Sequence, residues 1–218
     1  IFEMIKKILI LIIILIPTNV LAIIEVDITR GNLDPLPLAV SPLSIDDKSK
    51  KSFEKLLKKE NIGSEISIVV ENNLKTSGLF NPLNKEAFLQ APDIANIKPR
   101  FEDWNLIKAQ ALITGKVTYI DEKLRVEFRL WDVLAAKEIM ALAFTTVPNN
   151  WRRVGHIISD KVYERLTGEK GYFDTRIIYV AEEGPKTQRK KRLAIMDQDG
   201  ANNKFLTLGN ELVLTPRF

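Results

Sequence analysis

The chain has 218 residues, 45% of them hydrophobic, which is enough for one or two domains that each bury a core. It contains no cysteine, which excludes disulfides, thiolate metal ligands and cysteine nucleophiles. Its single histidine, His156, excludes any site that needs two imidazoles from one chain. The net charge of +4 is a weak indication of anionic partners.

The first residues have the layout of a secretory signal peptide, predicted to cover residues 1–22. Lys6 and Lys7 precede the apolar run Ile8–Ile16, and a short polar exit leads to the small residue Ala22. We predict cleavage between Ala22 and Ile23 and export to the periplasm. The apolar run is far shorter than the about 20 residues that span a bilayer, so no transmembrane anchor is expected after cleavage.

The next stretch predicts two strands and a charged connection. Ile24–Thr29 alternates apolar and polar residues, as in a half-buried strand. Leu36–Leu43 is a second apolar stretch, and Pro37 and Pro42 favour an edge or strand-end position for it. The lysine-rich stretch Lys48–Lys59 indicates a solvated loop or a short helix.

Helical periodicity begins at Ile62. Apolar residues recur every three or four positions as far as Leu74, and Gly78 is placed to end this helix. A short strand is predicted within Leu79–Leu83. A second short helix is predicted after Asp103, its candidate N-cap. This helix would carry Trp104, Ile107 and Ala111.

The most regular strands follow. Ala111–Ile120 is joined to the next strand by the turn Asp121-Glu122, and Ile139–Val147 adds a third, so an antiparallel meander is predicted. In the middle strand the apolar residues share one face, which we expect to lie on the core. These residues are Leu124, Val126, Phe128 and Leu130.

A longer amphipathic helix comes next, with Asn149 or Asn150 as its expected cap and Gly168 at its end. Its apolar stripe consists of Trp151, Val154, Ile158, Val162 and Leu166. Together these elements predict an N-terminal α/β (α+β) domain over residues 23–170. It would have a mixed, largely antiparallel sheet and two or three helices.

Residues 171–218 are predicted to be all-β. Ile177–Ala181, Leu193–Met196 and Phe205–Leu208 are short apolar runs, and Asp197–Gly200 ends in the Asp-Gly pair of a tight hairpin turn. Three short hairpin-linked strands suit the outer part of a β-propeller blade, which takes about 40–45 residues. Because a closed propeller needs at least about four blades, we expect an incomplete propeller of about one blade.

Catalytic and cofactor motifs are absent from the sequence: the ten glycines form no G-x-S-x-G, G-x-G-x-x-G or Walker pattern. His156 is interpreted as a histidine on the surface or boundary of its helix rather than a catalytic base, because no nucleophile or carboxylate partner is signalled. We therefore predict a protein without enzymatic activity and without a cofactor.

Two charged segments have the composition of binding sites. Asp197–Asn202 fails the EF-hand spacing in both possible registers, which favours a hairpin turn over a calcium loop and leaves no predicted metal site. Lys186–Arg192 is rich in cations but has no interleaved aromatic residues, which favours a solvated hairpin loop over nucleic-acid binding.

The order of several blocks along the chain resembles the TolB family, the soluble periplasmic component of the bacterial Tol–Pal envelope system. The helix Ile62–Leu74 with its exit Ser77–Leu83 matches one block, and Ala111–Val117 and Phe128–Val133 match two more. The most specific stretch begins at Asn150-Trp151-Arg152-Arg153 and continues from Tyr163 to Ile177.

This resemblance implies an N-terminal α/β domain, a six-bladed propeller and no enzymatic activity. It also implies that the mature N-terminal segment binds TolA, an inner-membrane protein. That segment corresponds here to Ile23, Ile24, Glu25, Val26, Asp27, Ile28, Thr29 and Arg30. The family binds the lipoprotein Pal mainly through the propeller. Since about one blade precedes Phe218, we expect a truncated form that retains TolA docking and loses Pal docking.

Several alternatives stay open at this point. The segment 23–30 can pair edge-on with a partner sheet, or it can be an internal strand of its own domain. An N-terminal fragment of a secreted, propeller-containing serine peptidase is an alternative function, since such enzymes also carry Asp-Gly blade turns. A periplasmic ligand-binding domain is a third functional hypothesis, although the sequence shows no pocket motif.

Overall fold

A computed structural model describes Ile24, Val26 and residues 34–209 of the chain. The predicted signal peptide, its cleavage site and the rest of segment 23–30 (Ile23, Glu25 and Asp27–Arg30) lie outside the described residues. Within the described part, none of the helices has the length and apolar character needed to cross a bilayer.

The described helices and strands follow the chain in this order. The strands are β1 (Leu36–Val40), β2 (Ser44–Ile45), β3 (Phe80–Pro82), β4 (Ala111–Ile120), β5 (Lys123–Asp132), β6 (Lys137–Thr146), β7 (Arg176–Glu183), β8 (Lys190–Asp197) and β9 (Lys204–Phe205). The α-helices are α1 (Asp47–Leu57), α2 (Ile62–Thr76), α3 (Pro92–Ile97), α4 (Phe101–Leu106) and α5 (Trp151–Thr167).

The larger sheet has the order β3-β1-β4-β5-β6. Strand β2 also pairs with β4, on the same side as β1 but further along β4. Strands β1, β2, β3 and β4 pair in parallel, whereas β4, β5 and β6 form the predicted antiparallel meander. At the β4–β5 turn, Asp121 and Glu122 both have positive φ, of 50° and 59°. Two successive positive φ angles are typical of a type I′ hairpin turn, whose twist matches that of the strands.

The main core lies on one face of this sheet, under α2 and α5. The predicted inner face of β5 is buried throughout: Leu124, Val126, Phe128 and Leu130 are at most 1% exposed. The predicted stripe of α5, from Trp151 to Leu166, is buried against the same face. On the opposite face, a smaller cluster centred on Trp104 of α4 and Leu112 of β4 is covered by α3 and α4. The domain therefore has helices on both faces of its sheet.

Several helix ends and one strand are where the sequence predicted them. Helix α2 ends before Gly78, and α5 ends at Gly168; both glycines have φ of +76°. This left-handed conformation is the usual reason for glycine at a helix end. The short strand β3 lies within Leu79–Leu83, and the lysine-rich stretch forms the short helix α1.

The strand-end alternative is confirmed for the prolines of β1, whereas two predictions for helix α4 are wrong. Strand β1 is not at the edge of the sheet, because it has parallel neighbours on both sides. Its Pro37 is the second residue of the strand and Pro42 follows its end, as in the strand-end alternative. Helix α4 begins at Phe101 after Arg100, so Asp103 lies inside the helix and pairs with Arg100 instead of capping it. Ala111 belongs to β4.

The second sheet consists of β7, β8 and β9 in antiparallel order, as expected for part of a propeller blade. The turn Asp197–Gly200 follows β8, and Gly200 has φ of +85°. Strand β9 is shorter than predicted and ends at Phe205. The cationic segment is only partly a loop: Lys190–Arg192 belong to β8, and Lys191 and Arg192 pair with Glu182 and Glu183 on the neighbouring strand.

Candidate functional site

Two residues of the predicted partner-binding segment are described, and both contact the larger domain. The backbone N–H of Ile24 donates to Oδ2 of Asp132 at 3.1 Å, and the N–H of Val26 donates to the carbonyl of Leu166 at 2.7 Å. Both side chains are partly buried against the main core. Neither residue is in a strand, so these two contacts differ from internal strand pairing.

The Leu166 carbonyl and Oδ2 of Asp132 are both free to accept a hydrogen bond from the N-terminal segment. Leu166 is in the last turn of α5, where the final carbonyls have no partner within the helix and need an outside donor. Asp132 ends β5 and is 2% exposed. Its Oδ1 already accepts from the N–H of Ala135, so Oδ2 is the oxygen left to bind Ile24.

A second set of contacts joins α5 to the turn after β8. Asn73 of α2 is at its centre: its Nδ2 donates to Nδ1 of His156 at 2.9 Å and to the hydroxyl of Ser159 at 3.0 Å. Its Oδ1 accepts from Nε2 of Gln198 at 2.9 Å. The backbone N–H of Gln198 also donates to the carbonyl of Thr175. The turn is therefore held by both the larger domain and the start of β7.

His156 is 2% exposed, so the prediction of a surface or boundary histidine is wrong. Its Nε2 lies 3.9 Å from Oδ2 of Asp197 and 3.9 Å from Oδ2 of Asp199. Burial lowers the pKa of His156, although the two carboxylates act in the opposite direction. The ring is therefore neutral near pH 7, and since Nδ1 accepts from Asn73, Nε2 carries the proton.

The carboxylates beside His156 have cationic and amide neighbours. Arg152 of α5 pairs with Asp199, and Arg176 of β7 lies 3.9 Å from Oδ1 of Asp197. The Asn202 amide donates to Asp197 at 2.6 Å. Asp197, Asp199 and His156 have ligand atoms within 4.8 Å of one another, a spacing that could hold a metal ion.

Asp160 fixes the segment between α5 and β7. Its two oxygens accept from the backbone N–H groups of Phe173, at 2.6 Å, and Asp174, at 3.1 Å. Burial raises the pKa of Asp160, and the two N–H groups oppose that shift. Arg153 of α5 forms a two-pronged ion pair with Asp174, which raises the pKa of the guanidinium. Helix α5 thus contacts the blade along its N-terminal half.

A polar cavity of about 390 Å³ lies beside these contacts. It is lined by side chains of three regions: the start of α5, the start of β7 and the turn after β8. Its lining includes His156, Asp197, Arg152, Arg176, Thr175 and Asn202. The cavity gives solvent a route to the otherwise buried histidine.

The sequence contained one usable signal for this junction. On α5, Gly155, His156 and Ser159 are small or polar residues that flank the apolar stripe, and all three are buried. A buried polar flank on an amphipathic helix indicates a second packing partner, because buried polar groups need hydrogen-bond partners. The spacing alone could not say that these partners are α2, which contacts Gly155 and Ser159, and a turn about forty residues further along the chain, which faces His156.

Family models match both parts of the chain. The model described as the TolB amino-terminal domain matches residues 24–139, and the one described as the TolB beta propeller domain matches residues 163–218. Among curated relatives, the Tol-Pal system protein TolB of Pelagibacter ubique (strain HTCC1062) is 80% identical over 215 residues. The match covers 99% of this chain, which spans 48% of the length of that relative.

A solved structure has the same fold. The crystal structure of TolB from Acinetobacter baumannii matches with a TM-score of 0.63 at 24% identity, over 79% of this chain and 38% of that chain. At that identity the likeness supports the fold alone. The family model of the amino-terminal domain covers more than half of the chain, and the relative from Pelagibacter matches almost all of it. The chain belongs to the TolB family.

Proposed function

We propose that the chain is a docking protein of the Tol–Pal envelope system, acting in the periplasm without an enzymatic activity of its own. It would link envelope layers, supporting outer-membrane integrity and constriction at cell division. The observation that carries this proposal is the 80% identity to a Tol-Pal system protein TolB over almost the whole chain. The domain boundaries 23–170 and 171–218 and the cleavage after Ala22 remain predictions.

The partner-binding element of this proposal is the segment Ile23–Arg30, with a TolA-like inner-membrane protein as its partner. The alternation of apolar and polar residues suits a strand that adds to the edge of a partner sheet. Such a strand uses its backbone N–H groups, and two of them, on Ile24 and Val26, are bonded to the chain itself. Internal docking and partner binding therefore compete for the same donors.

The internal docking of this segment is weak enough for a partner to displace it. Each of the two backbone hydrogen bonds contributes about 1 kcal/mol net. The partly buried side chains of Ile24 and Val26 add apolar burial. A partner strand forms several main-chain hydrogen bonds and covers the same side chains. Its binding free energy can therefore exceed the free energy of internal docking.

The test compares the binding of a TolA-like periplasmic domain to three forms of the chain, by calorimetry. Deletion of residues 23–30 is expected to abolish binding. Asp132→Asn is expected to strengthen binding by about two- to fivefold, since an amide has one acceptor oxygen for the N–H groups of Ile24 and Ala135. Asp93→Asn removes an exposed carboxylate of α3 and serves as the matched control.

Two results would contradict this assignment. Unchanged binding after the deletion would place the TolA-like partner elsewhere on the chain. If Asp132→Asn and Asp93→Asn change the affinity for the partner equally, internal docking does not compete with partner binding.

A Pal-like lipoprotein is the second partner of the proposal, reached through the propeller. Because residues 171–218 supply about one blade, a polypeptide of residues 1–218 is expected to bind a Pal-like protein much more weakly than a relative with a complete propeller does. A pull-down of both partners by this chain and by the longer relative would measure the difference. Equal recovery of the Pal-like protein would place its site within residues 1–218.

A further inference from the structure

The junction between α5 and the turn after β8 contains an unsatisfied buried nitrogen. The side chain of His156 is 3% exposed, and its Nε2 has no hydrogen-bond partner among the described residues. The carboxylates of Asp197 and Asp199 are the nearest acceptors, and 3.9 Å is too long for a hydrogen bond. Leaving such a group unpaired costs about 1–3 kcal/mol, so its surroundings require an explanation.

We propose that His156, Asp197 and Asp199 form a site for a divalent transition-metal ion, which clamps α5 to the turn after β8. Imidazole nitrogen with carboxylate oxygen is a ligand set that suits Zn²⁺ and its neighbours in the first transition row. This inference goes beyond the proposed function and does not rest on it, because it concerns how the two parts of the chain are held together.

The spacing of the three ligand atoms fits an ion after a small adjustment. All three lie within 4.8 Å of one another. Bonds to Zn²⁺ of about 2.0–2.2 Å place tetrahedral ligand atoms roughly 3.3 Å apart. Nε2 must therefore come about half an ångström closer to each carboxylate oxygen, and the two oxygens up to about 1.5 Å closer to each other. A rotation of the exposed Asp199 and the partly buried Asp197 can supply both movements.

The cavity of about 390 Å³ gives such a site access to solvent and room for water ligands. Both His156 and Asp197 line it, so an ion can enter from solvent and water can fill its other coordination positions. Thr175 adds a hydroxyl oxygen to the same wall, where it can accept from such a water. The Asn202 amide donates to Oδ2 of Asp197, and an ion on that oxygen replaces this hydrogen bond.

The outer contacts of His156 can adapt to a bound ion. A metal on Nε2 requires the proton on Nδ1, and metal-bound histidines usually donate that proton to an acceptor. Rotation of the Asn73 amide by a half turn places its oxygen against Nδ1. A matching rotation of the Gln198 amide preserves their mutual hydrogen bond.

Arg152 is the local competitor of the ion. Its guanidinium pairs with Oδ2 of Asp199, the same oxygen that faces His156. A cation cannot approach that oxygen without weakening the ion pair. Loss of the Arg152 charge should therefore strengthen metal binding, whereas loss of any of the three ligands should weaken it.

The single histidine of the chain makes the test direct. The full chain, labelled with ¹⁵N-histidine and stripped with a chelator, gives one imidazole whose two nitrogens are read by NMR during titration with Zn²⁺. We expect saturation at one equivalent, with Nε2 losing its proton and Nδ1 gaining one. With Co²⁺ as the probe, we expect a visible d–d absorption at the same stoichiometry.

Four variants separate the proposed site from binding elsewhere. His156→Gln and Asp199→Asn are each expected to weaken Zn²⁺ binding by about a hundredfold or more. Arg152→Gln is expected to strengthen it by about fivefold, and Asp93→Asn, the matched control, to leave it unchanged. If His156→Gln fails to fold, Asp199→Asn and the wild-type titration still decide the question.

Either of two results would overturn the proposal. One is a histidine spectrum that does not change with Zn²⁺ up to millimolar concentration, which would leave Nε2–H directed at the carboxylates as its only role. The other is Zn²⁺ affinity that is equal in the wild type and in Asp199→Asn, which would place the bound ion away from this junction.

Discussion

The side-chain amide of Gln198 donates a hydrogen bond to Oδ1 of Asn73 at 2.9 Å, joining the turn after β8 to helix α2. Asn73 is 1% exposed and uses its other polar atom on His156 and Ser159 of α5. One amide thus holds three elements that are distant in sequence. Such a buried network stabilises one arrangement of its members, and losing its centre leaves several groups unpaired.

Asn73→Ala is expected to lower the free energy of unfolding by about 3 kcal/mol, because it removes three hydrogen bonds and leaves buried partners unsatisfied. Urea denaturation measures the change. Asn72→Ala is the matched control on the exposed side of α2 and should change stability by less than about 0.5 kcal/mol. Similar losses for the two variants would show that the network contributes little.

Phe173 and Tyr172 are neighbours with different burial, at 1% and 46% exposed. Phe173→Ala is expected to cost about 3–5 kcal/mol, because it leaves a cavity beside Tyr163 in the main core. Tyr172→Ala should cost about 1 kcal/mol. Limited proteolysis between α5 and β7 should become faster in the first variant only. Equal cleavage rates would mean that Phe173 does not anchor this connection.

Gly155 allows α2 and α5 to approach closely, since a Cβ atom there would lie 2.9 Å from Cγ1 of Val69. Gly155→Ala is expected to destabilise the chain by about 1–2 kcal/mol, because overpacking exceeds the gain in helix propensity. In a Val69→Ala background the same substitution should cost less by about 1 kcal/mol. Additive effects in this double-mutant cycle would refute the steric explanation.

Asp46 caps helix α1 by accepting from the N–H of Ser49 at 2.9 Å and from its hydroxyl at 2.8 Å. These bonds lower the pKa of Asp46 from 3.8, chiefly through the backbone N–H. The stabilisation is therefore complete above pH 3.8 and is lost as the pH falls through the lower pKa of the folded state.

Asp46→Ala should accordingly cost about 1 kcal/mol at pH 7, and the difference from wild type should shrink below pH 3.8. Urea midpoints measured from pH 2.5 to pH 7 give this difference. Asp47→Ala, in the same first turn but without the capping bonds, should cost less at pH 7. A difference for Asp46→Ala that stays constant with pH would exclude the ionised carboxylate as the source of the cap's stability.

The elements predicted correctly are those whose signals are local. The alternation in β5 and the apolar stripe of α5 each report which side of an element is buried, and Gly168 marks a helix end through its own backbone requirement. These signals do not depend on which other element packs against them. The local signals therefore predict the meander, the long helices and the fold class correctly.

Apart from the cap assigned to Asp103, the errors concern relationships between distant residues. The position of β1 inside the sheet depends on its pairing with β3 and β4, which are tens of residues further along, so Pro37 and Pro42 alone could not decide between an edge and a strand end. For His156, the polar flank of α5 indicates a second packing partner but does not identify the turn at Asp197–Gly200. Its burial follows from the packing of that turn, which periodicity cannot reveal.

The parallel pairing of β1 also has a consequence for the order in which the chain folds. During synthesis β1 emerges before either of its neighbours, and about seventy further residues are needed before β4 begins, which takes roughly 4–15 s at ordinary translation rates. The meander β4–β6, by contrast, is closed by short turns as soon as it exists. A nascent chain therefore carries an apolar β1 without its β4 partner for seconds, and this strand needs protection from aggregation during that time.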